Sequence, residues 1–137
     1  MNHSTTRSVG ILALFVVGLA GCGSSVEDPS VPIAGKVTLN GDPLPEGNIT
    51  FFPADGQGAT AGAPIKDGVY ETRIAPGPKT VRITAQREDP NTPPDPRGGP
   101  AMRQYLPAKY NSRTTLKTDV PAEGSSTINF ELATGRR

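Results

Sequence analysis

From Val31 the chain alternates apolar and polar positions: Val31, Ile33, Val37 and Leu39 fall on one side, with Gly35 in the same register and Lys36 and Thr38 opposite. Period-two alternation of this length predicts a half-buried strand. It ends at Asn40-Gly41, a dipeptide suited to a type I′ turn with positive φ at both central residues. Asp42-Pro43-Leu44-Pro45 then reads as a stiff connector, because neither proline donates to a ladder. The same alternation returns six times. Ile49 and Phe51 face inward on Gly47–Pro53, where Phe52 breaks the pattern and is assigned to a sheet edge. Ala61, Ala63 and Ile65 alternate next, and Asp67-Gly68 closes a hairpin onto Tyr70, Thr72 and Ile74. Pro76-Gly77 supplies a type II turn, followed by Val81, Ile83 and Ala85 inward against Thr80, Arg82, Thr84 and Gln86. Thr114–Val120 and Thr127–Leu132 complete the set with Leu116, Thr118 and Val120, then Ile128, Phe130 and Leu132.

The pattern stops between Glu88 and Ala101. That segment contains Asp89-Pro90, Pro93-Pro94, Asp95-Pro96 and Gly98-Gly99-Pro100 and is expected to be a long exposed loop. With Gly 16 and Pro 15 in 137 residues, long helices are disfavoured and short strands with tight turns favoured. The expected fold is all-β: a single antiparallel β-sandwich of about seven short strands over residues 31–133, with residues 134–137 as a disordered tail.

A different pattern precedes the domain. Met1–Ser8 is polar and carries Arg7, Val9–Leu19 is apolar, and Leu19-Ala20-Gly21-Cys22 follows. These are the three parts of a secretory signal, and the apolar run is shorter than the about 20 residues a membrane span needs. Leu19-Ala20-Gly21-Cys22 resembles the lipobox of bacterial lipoproteins. The resemblance implies cleavage between Gly21 and Cys22, a diacylglycerol on the Cys22 thiol, and acylation of the new amine. Two or three chains give a stable anchor where one does not. Residues 1–21 are thus expected to be removed and 22–30 to form a flexible tether below an exported domain. Gly23 stands after Cys22 rather than Asp; by resemblance to enteric-type sorting this permits the outer membrane as well as the inner.

Composition narrows the function. The chain has 14 basic and 13 acidic residues, and Arg7 leaves with the signal, so the mature domain is charge-balanced. No basic stripe points to nucleic acid and no polybasic patch to a bilayer surface. The one cysteine is the anchor, so no internal disulfide forms. The one histidine, His3, also lies in the signal, which removes the imidazole on which most hydrolase and transition-metal sites depend.

Several pieces together resemble a family of bacterial lipoproteins with one carboxypeptidase regulatory-like, transthyretin-like (prealbumin-like) β-sandwich domain. They are Gly35-Lys36-Val37-Thr38-Leu39-Asn40-Gly41 with Pro43-Leu44, and Ile49-Thr50-Phe51-Phe52-Pro53. Asp67-Gly68-x-Tyr70, Pro76-Gly77, Leu106-Pro107-x-Lys109-Tyr110-Asn111 and Ile128-Asn129-Phe130-Glu131-Leu132 follow in order. The resemblance implies a folding, docking or adhesion module. A purine-pathway hydrolase shares the architecture, but its His and its C-terminal Tyr-Arg-Gly-Ser have no counterpart in a chain ending Leu132-Ala133-Thr134-Gly135-Arg136-Arg137, so its activity is not carried over.

The candidate binding residues are Arg103, Tyr105, Lys109, Tyr110 and Asn111, beside the long loop. Aromatics next to cations stack on sugars or grip a peptide. Equally, Leu106-Pro107 and Tyr110 would tuck the loop against the sandwich, the tyrosine hydroxyl bonding backbone. Glu27-Asp28, Asp42, Glu46, Glu88-Asp89 and Asp95 lack the spacing of a calcium loop and are taken as surface carboxylates. No metal, no cofactor beyond the acyl lipid on Cys22, and no catalytic residue is expected. The sequence therefore points to a lipid-anchored, non-enzymatic envelope module with a structural or protein-contact role, or alternatively to a module that binds carbohydrate or wall polymer.

Overall fold

The computed structural model describes residues 29–135. The signal, its Gly21–Cys22 junction and tether residues 22–28 lie outside that range. In chain order the strands are β1 (Val31–Leu39), β2 (Asp42–Pro43), β3 (Glu46–Pro53), β4 (Ala61–Lys66), β5 (Val69–Ile74), β6 (Gly77–Thr84), β7 (Gln86–Glu88), β8 (Met102–Gln104), β9 (Leu116–Val120) and β10 (Phe130–Leu132). A 3₁₀ turn spans Ala108–Tyr110. The main sheet runs β10-β1-β5-β4-β3-β6-β9, with β2 beside β1, and β7 and β8 form a separate ribbon. The all-β class holds, and among the described residues no helix is long and apolar enough to cross a membrane.

The sheet is curled, and the hairpin between β4 and β5 is where it folds. Those strands pair only at Lys66↔Val69, whereas β3 pairs with β4 over six positions. Gly62 and Pro64 explain the gap, since glycine weakens a strand and proline has no N–H to give β5. The β10-β1-β5 half thereby comes to face the β4-β3-β6-β9 half. Phe51 of β3 meets Tyr70 of β5 and Phe130 of β10 across the interior, with ring centroids 5.8 and 6.4 Å apart. Ile33, Val37, Ile49, Phe51, Ile65, Tyr70, Ile74, Val81 and Ile83 are buried between the halves, in the register the alternation predicts. The turns also match: Asn40 and Gly41 have φ of 54° and 91°, Asp67 and Gly68 of 50° and 74°.

Five features differ from the sequence reading. Leu44, expected in a stiff connector and not among the inward-facing residues, is fully buried. Its N–H donates to Val37 O at 3.0 Å and its carbonyl accepts from Gly68 N–H at 2.7 Å, so its flanking prolines sit where no donor is needed. β10 runs parallel to β1, with Val37↔Phe130 in register, so the sandwich is not wholly antiparallel. The segment 88–101 is not loop throughout, because Glu88 pairs with Met102 at the head of the β7–β8 ribbon. Thr134, first residue of the expected free tail, donates its N–H to Asn40 Oδ1 at 3.0 Å. Phe52 is not at a sheet edge, because β3 runs between β4 and β6; it lies half-buried on the outer face with the Arg82 guanidinium 4.8 Å from its ring centroid.

Candidate functional site

The five candidate residues separate into two groups with different work. Tyr110 and Asn111 turn inward. Tyr110 is 7 % exposed and its hydroxyl donates to Ala133 O at 3.2 Å while accepting from Ala133 N–H at 2.9 Å. Asn111, 8 % exposed, donates from Nδ2 to Leu106 O at 3.2 Å and Pro107 O at 3.0 Å, and its Oδ1 accepts Ser112 N–H at 2.7 Å. Tyr110 ties the segment after β8 to the residue that follows β10, and Asn111 closes that segment on itself. The polar atoms that would face a ligand are satisfied by backbone. Lys109 stays exposed, its ammonium 4.9 Å from the Tyr110 ring centroid.

Tyr105 belongs to a different place. It is half-buried against the core and lines an open cleft of about 810 Å³. One wall is the base of the ribbon, Gln86, Arg87 and Tyr105; the other is the β1–β2 turn with Asn40 and Asp42 and the β4–β5 turn with Lys66 and Asp67. The Arg87 guanidinium lies 5.4 Å from the Tyr105 ring centroid, a stacked cation–π pair. Arg103, on β8, points elsewhere: its Nε is 3.9 Å from Asp89 Oδ2, across the neck of the ribbon tip. The structure therefore brings Tyr105 together with Arg87, Asp42 and Asp67, and not with Lys109, Tyr110 or Asn111.

Sequence reasoning missed Arg87 because it carries no motif and directly follows an outward row, Thr80 to Gln86, that looks like ordinary wetted surface. β6 pairs with β3 only as far as Thr84↔Asn48, after which the chain peels away from the main sheet into β7. The departure is fixed by Gln104, whose Oε1 accepts the N–H groups of Ala85 at 3.0 Å and Leu106 at 3.2 Å. Tyr105 N–H donates to Ala85 O at 3.2 Å in addition. Where β6 leaves, a second groove of about 440 Å³ opens beside Gly47, Asn48 and Met102; it shares Glu46, Lys66 and Gln86 with the first.

Chemically the cleft offers carboxylates (Asp42, Glu46, Asp67), two cations (Lys66, Arg87) and one aromatic ring, none of the charged groups being ion-paired among the described residues. Among those residues no three His, Cys, Asp or Glu side chains converge on a metal-sized site. The position is as informative as the lining. The chain enters the domain at Val31, and the cleft lies at the Leu39–Asn40 end of β1, nine residues or about 30 Å further along. Comparison with known protein families, curated proteins and solved structures finds no match.

Proposed function

We propose that this protein is a lipid-anchored, non-enzymatic module of the cell envelope, of the carboxypeptidase regulatory-like, transthyretin-like kind. Held to a membrane through Cys22, it contacts another envelope protein with the cleft between the β7–β8 ribbon and the β1–β2 turn. The observation that carries this reading is the placement of the cleft a full strand length from the point where the chain enters the domain. A domain hung from its N-terminal end turns that cleft away from the bilayer. The mixed, internally unpaired charges suit a polar protein surface, which is matched by complementary charge rather than by apolar area.

A polymer-binding role draws on Tyr105 in the same cleft. The geometry supports it less, because Arg87 already occupies the ring face on which a sugar would stack. The test uses the full-length protein in its own cells with a photo-reactive residue in place of Arg87. The expected result is one cross-linked protein, with mass spectrometry of the native N-terminus finding cleavage after Gly21 and an acylated Cys22. Retention of the purified domain on isolated wall material, with no protein cross-link, would replace this reading by polymer binding. An unmodified Cys22, or cleavage at another position, would overturn the anchor.

A further inference from the structure

β9 is the last strand of its sheet: it pairs with β6 on one side and, among the described residues, with no strand on the other. Alternate residues of an antiparallel strand turn their backbone groups to opposite sides. In β6, the Pro78 carbonyl accepts Ala54 N–H at 3.1 Å, on the side where β3 lies. Gly77, Lys79 and Val81 therefore face β9, where they stand opposite Val120, Thr118 and Leu116. Lys117 and Asp119 turn their N–H and C=O groups the other way, to the open edge. None of the loop, turn or side-chain hydrogen bonds among the described residues uses those groups. A row of free backbone groups is a template for another strand.

The sequence of that edge selects its partner. Leu116-Lys117-Thr118-Asp119-Val120 has the same chemistry from either end: apolar, cation, threonine, anion, apolar. Two copies laid antiparallel about Thr118 set Lys117 against Asp119 of the other copy, Thr118 against Thr118, and Leu116 against Val120. Opposite-charge and Thr–Thr pairs are among those that stabilise a sheet, whereas like charges directly opposed destabilise it. Centring the pair on Lys117 or on Asp119 instead would oppose like charges, so one register is singled out. Both charged side chains are exposed and neither is ion-paired among the described residues. The edge at β10 lacks these properties. Its three residues carry one charge, Glu131, and the Tyr110 hydroxyl takes both backbone groups of Ala133 beside it.

We propose that the protein pairs with a second copy of itself along β9, antiparallel and centred on Thr118. The contact is isologous: Lys117 N–H donates to Asp119 O of the other copy, Asp119 N–H donates to its Lys117 O, and the two-fold axis repeats both bonds. One short strand on each side makes a weak, concentration-dependent pair. Val120 stands opposite Gly77, just after β5, whose last residue Ile74 pairs with Val31. The seam thus lies toward the end where the chain enters the domain, and the cleft at the Leu39–Asn40 end stays open. Pairing goes beyond the proposed function and does not rest on it.

The experiment uses the purified full-length protein in detergent with a mild oxidant. In the proposed register Thr118 faces its own copy as a non-hydrogen-bonded pair, with Cα atoms about 4.5 Å apart, a spacing a disulfide spans. Thr118→Cys should therefore form a disulfide-linked pair. Glu71→Cys, exposed on β5, and the native chain with Cys22 alone should not. Lys117→Asp added to Thr118→Cys opposes Asp to Asp and should slow the cross-link about tenfold; Asp119→Lys added to both should restore it. A second measurement needs no cysteine. Sedimentation of the native chain should show a concentration-dependent pair, and Asp119→Pro, which removes an open-edge N–H without touching the β6 ladder, should leave a monomer with its circular dichroism unchanged. A monomer at every concentration for the native chain would overturn the proposal. So would equal cross-linking from Glu71→Cys, or a double charge exchange that fails to restore the cross-link.

Discussion

The Tyr70 hydroxyl on β5 donates a 2.6 Å hydrogen bond to the Ile128 carbonyl, 58 positions away, inside the core. That carbonyl is turned inward over Gly35 of β1, the residue paired with Tyr70 across the ladder. The bond ties the segment before β10 to the β1–β5 ladder. Tyr70→Phe keeps the ring and strands the buried carbonyl, so it should cost about 1–3 kcal/mol in denaturant unfolding.

The same hydroxyl makes stability fall at high pH. Burial pushes Tyr70 well above the ordinary tyrosine range. In the unfolded chain it ionises near pH 10, whereas in the fold it stays neutral. A raised folded value means this contribution is fully present below about pH 10 and is lost as pH rises beyond it. Thermal melts from pH 8 to 11 should show a steeper decline for the native protein than for Tyr70→Phe.

Gly35 admits no side chain. A Cβ there would lie 1.8 Å from the Ile128 oxygen, a backbone atom unable to move without breaking the Tyr70 bond and the neighbouring Ile128 N–H to Ala34 O bond. Gly35→Ala should destabilise by about 3–5 kcal/mol, or leave the domain unfolded by circular dichroism.

Tyr110→Phe tests the division of the candidate residues. Removing the hydroxyl frees both Ala133 backbone groups, so the melting temperature should fall, by an amount equivalent to about 1–2 kcal/mol. Cross-linking from position 87 should be unchanged. A loss of cross-linking with the fold intact would return Tyr110 to the binding surface.

The ribbon tip should loosen in acid. Hydrogen bonds from Asn91 N–H and then Thr92 hold the Asp89 carboxyl below the usual carboxylate range, with Arg103 nearby adding to them. A lowered folded value gives ordering that is present above about pH 4 and is lost as pH falls through the folded value. Heteronuclear ¹⁵N relaxation at Asn91 and Thr92 should report increasing mobility from pH 5 to pH 2, and Asp89→Asn should remove most of that dependence.

The strands, their inward residues and their tight turns were legible in the sequence. Alternation and turn chemistry are local properties, carried by neighbouring residues such as Ile49 and Phe51 or by the Asn40-Gly41 and Asp67-Gly68 dipeptides. Gly35 was visible in the inward register, but not the carbonyl that requires it to be glycine. Other assignments depended on segments far apart in the chain. Leu44 is core because Val37 and Gly68 accept and donate to its backbone, β10 is parallel because it returns beside β1 over ninety residues later, and Lys79 is buried because it continues the Val81–Ile83 register at a strand end. The candidate residues clustered along the sequence near the long loop, and only the tertiary structure separated them. Tyr110 and Asn111 are consumed by backbone groups, whereas Tyr105 joins Arg87 because the chain leaves the main sheet at Ala85. Local pattern determines which face of a strand is apolar; which distant groups meet that face is decided by long-range packing, and the cleft is made by such meetings.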